Sequence, residues 1–213
     1  MTARVLVLDC RDSFVFNLVA SFESAGAEVV TVRADIPLAA LTARLAGFAP
    51  DLVVLSPGPG RPEEAGVVLP WLATDPREPV LGICLGHQAL CAAAGARIER
   101  APQPVHGQAS PIDPVLDEPL FTDLPRPFPA ARYHSLMVGE VPAELRTIAT
   151  TAAADGRGDV VMAVRHRRRR RVGLQFHPES VLSPHGDRIL ARFLDEARRH
   201  RNRDIPDIGG PSC

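Results

Sequence analysis

Hydrophobic residues in the first 95 positions of the chain follow two alternating spacings. Short apolar runs rich in valine and leucine predict buried strands, and these runs lie at 4–9, 28–33, 51–55 and 79–83. Between and after them, apolar residues recur every three or four positions, as on one face of a helix, at 14–22, 38–45, 67–72 and 87–94. This alternation predicts a parallel sheet with crossover helices, and therefore an α/β fold.

The pattern changes in the second half of the chain. Residues 102–130 are rich in proline and show little periodicity, whereas three apolar runs predict strands without helices between them, at 145–150, 160–165 and 172–176. We therefore expect a mostly parallel central sheet flanked by helices, with antiparallel additions in the C-terminal half. Apolar positions within 189–194 predict a last helix. This organisation predicts one domain over residues 1–200 and a disordered tail over 201–213.

Composition and charge narrow the class of protein. The chain has 213 residues, 46% of them hydrophobic, which suffices for one domain with a sizeable core. Its net charge of −1 gives no overall attraction to nucleic acid or to anionic membranes. No apolar run approaches the roughly 18 residues that span a bilayer, and the chain starts in a strand pattern without a cleavable signal. We expect a soluble, cytoplasmic protein that binds neither nucleic acid nor membrane.

One of the four cysteines has a distinctive setting. Cys10, Cys84, Cys91 and Cys213 show no spacing typical of a zinc or dithiol site. Cys84, however, is the centre of Gly-Ile-Cys-Leu-Gly at 82–86, where a predicted strand gives way to a predicted helix. This pattern is typical of a nucleophile elbow, in which the start of the helix favours a reactive thiolate. A buried structural cysteine is the alternative, and we assign that role to Cys91.

A histidine and a carboxylate suited to activate a cysteine follow the predicted strand 172–176. His177 precedes Pro178, and proline favours an extended conformation in the residue before it. His177 and Glu179 can therefore face the same way, so that the carboxylate orients the imidazole. A solvated strand end is the alternative for this pair taken alone. A second glycine turn, Ser-Pro-Gly-Pro-Gly at 56–60, also ends a strand, and Gly58 there can supply an oxyanion donor.

Five segments of the chain resemble the class I (triad) glutamine amidotransferases. Three of them are Gly-Ile-Cys-Leu-Gly-His-Gln at 82–88, Ser-Pro-Gly-Pro-Gly at 56–60 and Gln-Phe-His-Pro-Glu-Ser at 175–180. Asp-Ser-Phe with a following Asn-Leu, within 12–18, and Arg-Tyr-His-Ser-Leu at 132–136 resemble signatures of the chorismate-linked members. The resemblance covers roughly residues 4–197 and is strongest to the glutaminase subunits of anthranilate synthase, then to those of aminodeoxychorismate synthase.

The resemblance implies a role for each site residue. Cys84 would attack the γ-carboxamide of L-glutamine, His177 would act as base and then as acid, and Glu179 would orient His177. The backbone N–H groups of Gly58 and Leu85 would stabilise the oxyanion. The residues implied to bind glutamine are Gly58, Pro59, Gly60, Leu85, Gln88, Ser135 and Leu136.

The resemblance also implies a partner protein. Ammonia from glutamine would pass to a chorismate-binding synthase subunit (component I), which would hold magnesium, whereas this chain would need no cofactor or metal. The same role in aminodeoxychorismate synthase or in a specialised pathway is the alternative. A free-standing γ-glutamyl hydrolase and a non-catalytic binding subunit remain as further alternatives.

Two departures from the family pattern bear on the choice of synthase rather than on the glutaminase chemistry. The family usually reads Asp-Asn-Tyr-Asp-Ser before its first helix, where this chain has Asp-Cys-Arg-Asp-Ser at 9–13. It usually has lysine where this chain has Gln108.

Two other polar segments of the chain are expected to have a structural or a ligand-positioning role. The arginine-rich run at 165–171 lacks interleaved aromatic residues and is expected to form an exposed hairpin tip. His134 precedes Ser135, but no Gly-x-Ser-x-Gly elbow frames that serine, so we expect it to position a ligand rather than to attack one.

Overall fold

Strands and helices alternate through the first half of the chain, as the hydrophobic pattern predicts. The computed structural model describes residues 2–153, 156 and 158–204. The strands of the first half are β1 (Ala3–Asp9), β2 (Ala27–Arg33), β3 (Leu52–Leu55) and β4 (Val80–Ile83). The helices are α1 (Val15–Ser24), α2 (Leu38–Phe48), α3 (Val68–Leu72) and α4 (Leu85–Ala93). Helix α4 begins two residues earlier than predicted, directly after Cys84.

Strands dominate the second half, and some of them were not predicted. The strands are β5 (Ile98–Arg100), β6 (Gln108–Pro114), β7 (Phe128–Arg132), β8 (Leu136–Val138), β9 (Leu145–Ala152), β10 (Asp159–His166) and β11 (Arg171–Leu174). Strands β5 to β8 fall in or beside the proline-rich segment. Pro111 and Pro129 stand opposite each other in β6 and β7, at the end of the sheet, where a strand tolerates proline.

The last helix, α5 (Gly186–Asp204), continues past Arg201, where the sequence pattern predicts the start of the disordered tail. The rest of that predicted tail, residues 205–213, lies outside the described residues. None of the helices in the part of the chain that the structure describes combines the length and the apolar character needed to cross a bilayer.

Nine strands of the described chain form one sheet in the order β2-β1-β3-β4-β11-β10-β9-β6-β7. The first five in this order are parallel to one another, and the other four add in antiparallel fashion. Strands β5 and β8 pair separately. The α/β architecture with antiparallel additions is therefore confirmed. Because parallel strands share one carboxyl edge, the residues after β1, β3, β4 and β11 meet there.

Both faces of the parallel half are covered by helices. Strand β1 shows how: Val5 and Val7 pack in the cluster that includes α1 and α5, whereas Leu6 and Leu8 pack with α2, α3 and α4. Successive side chains of a strand point to opposite faces, so a strand between two helical layers is apolar throughout. The continuous apolar runs in the sequence have this cause.

The arginine-rich run forms the end of β10, the turn at 167–170 and the start of β11, as expected for a hairpin tip. Arg169 and Arg171 both pair with Asp75, which follows α3. Arg167 donates to the carbonyl of Ala143. These contacts give the run a structural use, since they fasten the hairpin to the loop after α3.

A buried carboxylate ties the antiparallel strands to α5. Glu118, whose side chain has no exposed surface, accepts hydrogen bonds from Arg146 and Arg165 at 2.6 Å each. Arg165 also pairs with Glu196 of α5 at 2.5 Å. Burying a carboxylate is costly unless cations and donors surround it, and Glu118 has both.

We predict that Glu118→Gln lowers the free energy of unfolding by about 3 kcal/mol, because it leaves two guanidinium groups without their shared buried anion. Equilibrium unfolding in urea measures this change. Asp35→Asn serves as the control, since Asp35 pairs with Arg11 at the surface, and its unfolding midpoint should stay close to the original. Equal effects of the two substitutions would contradict the prediction.

Candidate active site

Cys84 lies on a strained turn between β4 and α4. Its backbone has φ 51° and ψ −99°, a conformation that residues with a side chain rarely adopt. A Cβ atom on Gly82 would lie 2.4 Å from the carbonyl oxygen of Gly86, and one on Gly86 would lie 2.3 Å from that of Leu55 in β3. Only glycine fits at these two positions, so the predicted nucleophile elbow is present in the fold.

His177 and Glu179 form a buried pair. The Nδ1 atom of His177 lies 2.7 Å from Oε1 of Glu179, and neither side chain exposes more than 3% of its surface. This contact leaves Nε2 as the ring atom available to Cys84, and Nε2 makes no hydrogen bond of standard geometry with the described residues. The carboxylate therefore orients the imidazole, as the sequence spacing predicts.

The electrostatics of His177 favour its charged form. Burial lowers the pKa of His177, but interactions with Cys84 and Glu179 outweigh burial and raise the pKa above its usual value. A histidine that holds its proton beside a cysteine favours the thiolate form of that cysteine. The arrangement can thus supply a sulfur nucleophile together with an acid for a leaving group.

Two aromatic rings hold the imidazole from the sides. The ring centroids of Phe14 and Tyr133 lie 5.6 Å and 4.9 Å from that of His177, both in edge-on geometry. Phe14 and Tyr133 also contact each other, with centroids 5.1 Å apart. These contacts restrict rotation of the His177 ring about its side-chain bonds.

The backbone around His177 is fastened to the antiparallel half of the sheet. The N–H of His177 donates to the carbonyl of Ala131 in β7 at 2.9 Å. The hydroxyl of Ser183 donates to the carbonyl of His177 at 2.6 Å and accepts from the N–H of Ala131 at 2.9 Å. Gly186, at the start of α5, packs so closely on Pro178 that no Cβ would fit.

A chain of amide groups reaches the Cys84 sulfur. Gln88, on α4, donates through Nε2 to the carbonyl of Leu136 and to Oε1 of Gln175, at 3.2 Å each. Gln175 donates through Nε2 to the Cys84 Sγ at 3.7 Å, a distance that the larger radius of sulfur allows. Gln88 and Leu136, two predicted substrate-binding residues, are thereby connected to the Cys84 sulfur.

Buried neutral histidines lie behind this chain. Burial, followed by the charge of Arg132, lowers the pKa of His134 to about 4. Burial, followed by the nearby His134, lowers the pKa of His87 to about 3. The guanidinium of Arg132 donates to Nε2 of His134 at 3.0 Å. Nδ1 of His134 therefore carries the hydrogen and donates to the carbonyl of Leu136 at 2.8 Å.

The other glycine turn, at 56–60, packs against the elbow at Cys84. A Cβ atom on Gly58 would lie 2.6 Å from the carbonyl oxygen of Cys10 and 2.7 Å from Cδ2 of Leu85. Ser56 ties this turn to the end of β1, because its hydroxyl accepts from the N–H of Cys10 at 2.8 Å. Pro59, Gly60 and Ser135 are exposed, in contrast to the buried residues Cys84, His177 and Glu179.

Cys91 has the setting of a packing residue that the sequence predicts, and Cys10 is buried as well. Cys91 is fully buried in an apolar cluster, with its Sγ 4.0 Å from Nδ1 of His87, and burial raises its pKa to about 12. Burial likewise raises the pKa of Cys10 to about 12. Cys213 lies outside the described residues. Among the residues that are described, no three His, Cys, Asp or Glu side chains are grouped so that they could hold a metal ion.

Three neighbours of the catalytic candidates were not singled out from the sequence as site residues, namely Phe14, Tyr133 and Gln175. Gln175 had a usable signal. It stands two residues before His177, and the alternation of side chains that relates His177 to Glu179 also relates Gln175 to His177. The aromatic contacts bring together segments far apart in the chain, and no local pattern indicates them.

A parallel sheet with a cysteine on a strand–helix elbow, beside a buried histidine–carboxylate pair, defines an α/β enzyme equipped for thiol nucleophilic chemistry. The chain belongs to the class I glutamine amidotransferase family, whose sequence model matches residues 6–197.

Several relatives share most of this chain. It is 46% identical to the pyocyanine-specific anthranilate synthase component 2 of Pseudomonas aeruginosa, over 90% of this chain and 92% of the relative. It is 44% identical to anthranilate synthase component 2 of Thermus thermophilus, over 91% and 92%. Aminodeoxychorismate synthase of Streptomyces pristinaespiralis is 44% identical over 99% of this chain, which spans only 29% of that relative.

A solved structure shares the fold. A protein from Thermoplasma acidophilum, described as one of the subunits of GMP synthase, superposes with a TM-score of 0.83 over 96% of this chain and 98% of its own. The sequence identity is 24%, so this likeness concerns the architecture.

We predict that Gly86→Ala lowers the thermal unfolding midpoint by several degrees and slows alkylation of Cys84 by iodoacetamide at least tenfold, because the added methyl group would displace the elbow from β3. Gly47→Ala is the matched control. Gly47 lies in α2 with open space around it, and alanine there suits a helix better. Equal behaviour of both variants would contradict the claim that the elbow requires glycine.

Proposed function

We propose that this chain is the glutaminase subunit of a chorismate-using synthase. It would hydrolyse L-glutamine to glutamate and ammonia and deliver the ammonia to a synthase subunit that makes anthranilate. One observation carries the chemistry: Cys84 stands on a strained elbow at the start of α4, beside a histidine whose other nitrogen lies 2.7 Å from a buried carboxylate. An adjacent histidine that is oriented by a carboxylate can activate a cysteine nucleophile.

In the first half of the proposed reaction, the Cys84 thiolate attacks the γ-carboxamide carbon of glutamine. The carbonyl oxygen gains negative charge, and the backbone N–H groups of Leu85 and Gly58 are its proposed donors. His177 then gives its Nε2 proton to the leaving nitrogen. The C–N bond breaks, ammonia departs and a γ-glutamyl thioester remains on Cys84.

In the second half, water attacks the thioester carbon. His177, now neutral, accepts a proton from that water, and the C–S bond breaks to release glutamate and the Cys84 thiolate. Glu179 keeps Nδ1 protonated throughout and so holds Nε2 toward the reacting atoms. The proposed glutamine cradle consists of Gly58, Pro59, Gly60, Leu85, Gln88, Ser135 and Leu136.

Anthranilate is the first choice of product because relatives named anthranilate synthase component 2 match this chain over nearly their whole length. Aminodeoxychorismate is the second candidate, favoured by relatives in which this chain corresponds to a minor part of a longer protein. The free thiols of Cys10, Cys84 and Cys91 suit the cytoplasm, where we place this function.

An apolar surface beside the site supports a partner protein. Phe16 and Val181 are 80% and 93% exposed. Phe16 adjoins Asn17, whose side-chain amide donates to the carbonyl of Glu179 at 3.5 Å, so the two exposed residues lie on neighbouring segments. Large apolar side chains exposed together favour burial against another protein. We assign this surface to the synthase subunit that receives the ammonia.

We predict that Cys84→Ala lowers glutamine-dependent product formation by at least roughly a thousandfold, whereas activity with added ammonium chloride persists in the complex. The assay combines this chain with the synthase subunit of the same genome, chorismate, magnesium and glutamine, and follows the aromatic product. Cys91→Ala is the control and should keep glutamine-dependent activity.

Each result of this assay has a defined meaning. Anthranilate supports the first-choice synthase, and aminodeoxychorismate transfers the same chemistry to the second. Full glutaminase turnover without any partner would indicate a free-standing hydrolase. Glutamine-dependent activity that survives Cys84→Ala would refute the proposed nucleophile.

We predict that Phe16→Asp combined with Val181→Asp weakens binding to the synthase subunit, with a Kd at least tenfold higher, because charged groups would have to be desolvated in the interface. Isothermal titration calorimetry measures this affinity. Leu116→Asp is the control, since Leu116 is also exposed, at 76%, but follows β6 in the antiparallel half. An unchanged Kd in the double variant would show that the partner binds elsewhere.

A further inference from the structure

Gln175 is a buried amide in contact with the nucleophile. Its side chain has no exposed surface, and its Nε2 lies 3.7 Å from the Cys84 Sγ. It follows β11, which pairs with β4 directly before the elbow. Gln175 takes no part in the steps proposed for Cys84, His177 and Glu179, although it contacts the Cys84 sulfur.

The orientation of the Gln175 amide is fixed by its neighbours. The backbone carbonyl of Leu136 can only accept, so the Gln88 atom that faces it at 3.2 Å must be the donor Nε2. The same Nε2 faces Gln175 at 3.2 Å, and the Gln175 atom there must be the acceptor Oε1. The Nε2 of Gln175 therefore points at the sulfur.

We propose that Gln175 is a catalytic residue that stabilises the Cys84 thiolate by a hydrogen bond, and that Gln88 is a positioning residue that holds the Gln175 amide. This inference rests on Cys84 being the nucleophile of the proposed function. A donor to the charged form of a group favours that form. The amide is neutral at every working pH, so its contribution does not depend on a proton shared with His177.

The hydrogen bond acts at two points of the reaction. Before attack it raises the fraction of Cys84 that is thiolate and fixes the direction of Sγ. When water opens the thioester, sulfur leaves as a thiolate, and the same donor favours its departure. Gln88 uses both amide hydrogens inside the protein, toward Leu136 and Gln175, so its oxygen is the atom left to meet a ligand.

The test measures the rate at which iodoacetamide alkylates Cys84 as a function of pH, with no glutamine present. In Gln175→Met, which keeps the volume of the side chain but removes the donor, the midpoint of this profile should rise by about one pH unit. The kcat/KM for glutamine in the complex should fall about tenfold, mainly through kcat.

Gln108→Met is the matched control, since Gln108 is exposed at the start of β6, and its alkylation profile should coincide with the original. Thermal unfolding checks that each variant is folded. If Gln175→Met does not fold, Gln175→Leu, which also removes the donor and adds no charge, supplies the test. A folded variant with an unchanged midpoint would overturn the role of Gln175. Alkylation requires no glutaminase turnover, so the result stands apart from the outcome of the Cys84→Ala assay.

Discussion

The backbone conformation of Cys84 is the constraint on which the site depends. Its φ of 51° turns the chain from β4 into α4 within one residue and places the sulfur at the helix start. Such strain persists only where the surroundings determine it. Here the determining contacts are close approaches of Gly82 to Gly86 and of Gly86 to Leu55 in β3, both too tight for a Cβ atom. The close packing of α4 on β3 therefore helps to fix the position of the Cys84 sulfur.

The antiparallel half of the sheet completes what the parallel half begins. Strand β11 lies parallel to β4, and the N–H of Cys84 donates to the carbonyl of Leu174 at 2.8 Å, so the chain after β11 emerges beside the elbow. That chain carries His177, which is fixed by Ala131 of β7 and by Ser183. His177 thus follows the parallel strand β11 but is fastened to the antiparallel strand β7, so both halves of the sheet position the Cys84–His177 pair. Neither half alone would form the site.

The sequence predicts those features of the site that depend only on the backbone geometry of a few neighbouring residues. Glycines around Cys84 and the spacing of His177 and Glu179 follow from backbone geometry over a few residues, and the structure places these side chains as expected. Strands β5 to β8 were not predicted because prolines and exposed positions obscure their alternation. Backbone pairing still forms them, β6 with β7 at the end of the large sheet and β5 with β8 as a separate pair. The contacts of Phe14 and Tyr133 with His177 depend on chain crossings that no local pattern encodes.

The Cys84 sulfur has one neighbour that can gain or lose a proton, His177, and one that cannot, the amide of Gln175. In the proposed reaction His177 gives up and regains a proton, so its support of the sulfur changes during each cycle. The amides behind the sulfur do not titrate, and their direction is set by the backbone carbonyl of Leu136, which also accepts from His134. Burial keeps His134 and His87 neutral at physiological pH, so neither adds a charge that would compete with the Cys84–His177 pair. Fixed dipoles in a site with little water can stabilise developing charge without reorganising. Here the dipoles run from the carbonyl of Leu136 through Gln88 and Gln175 to the Cys84 sulfur. The first of these groups belongs to the backbone, so a side-chain substitution does not remove it.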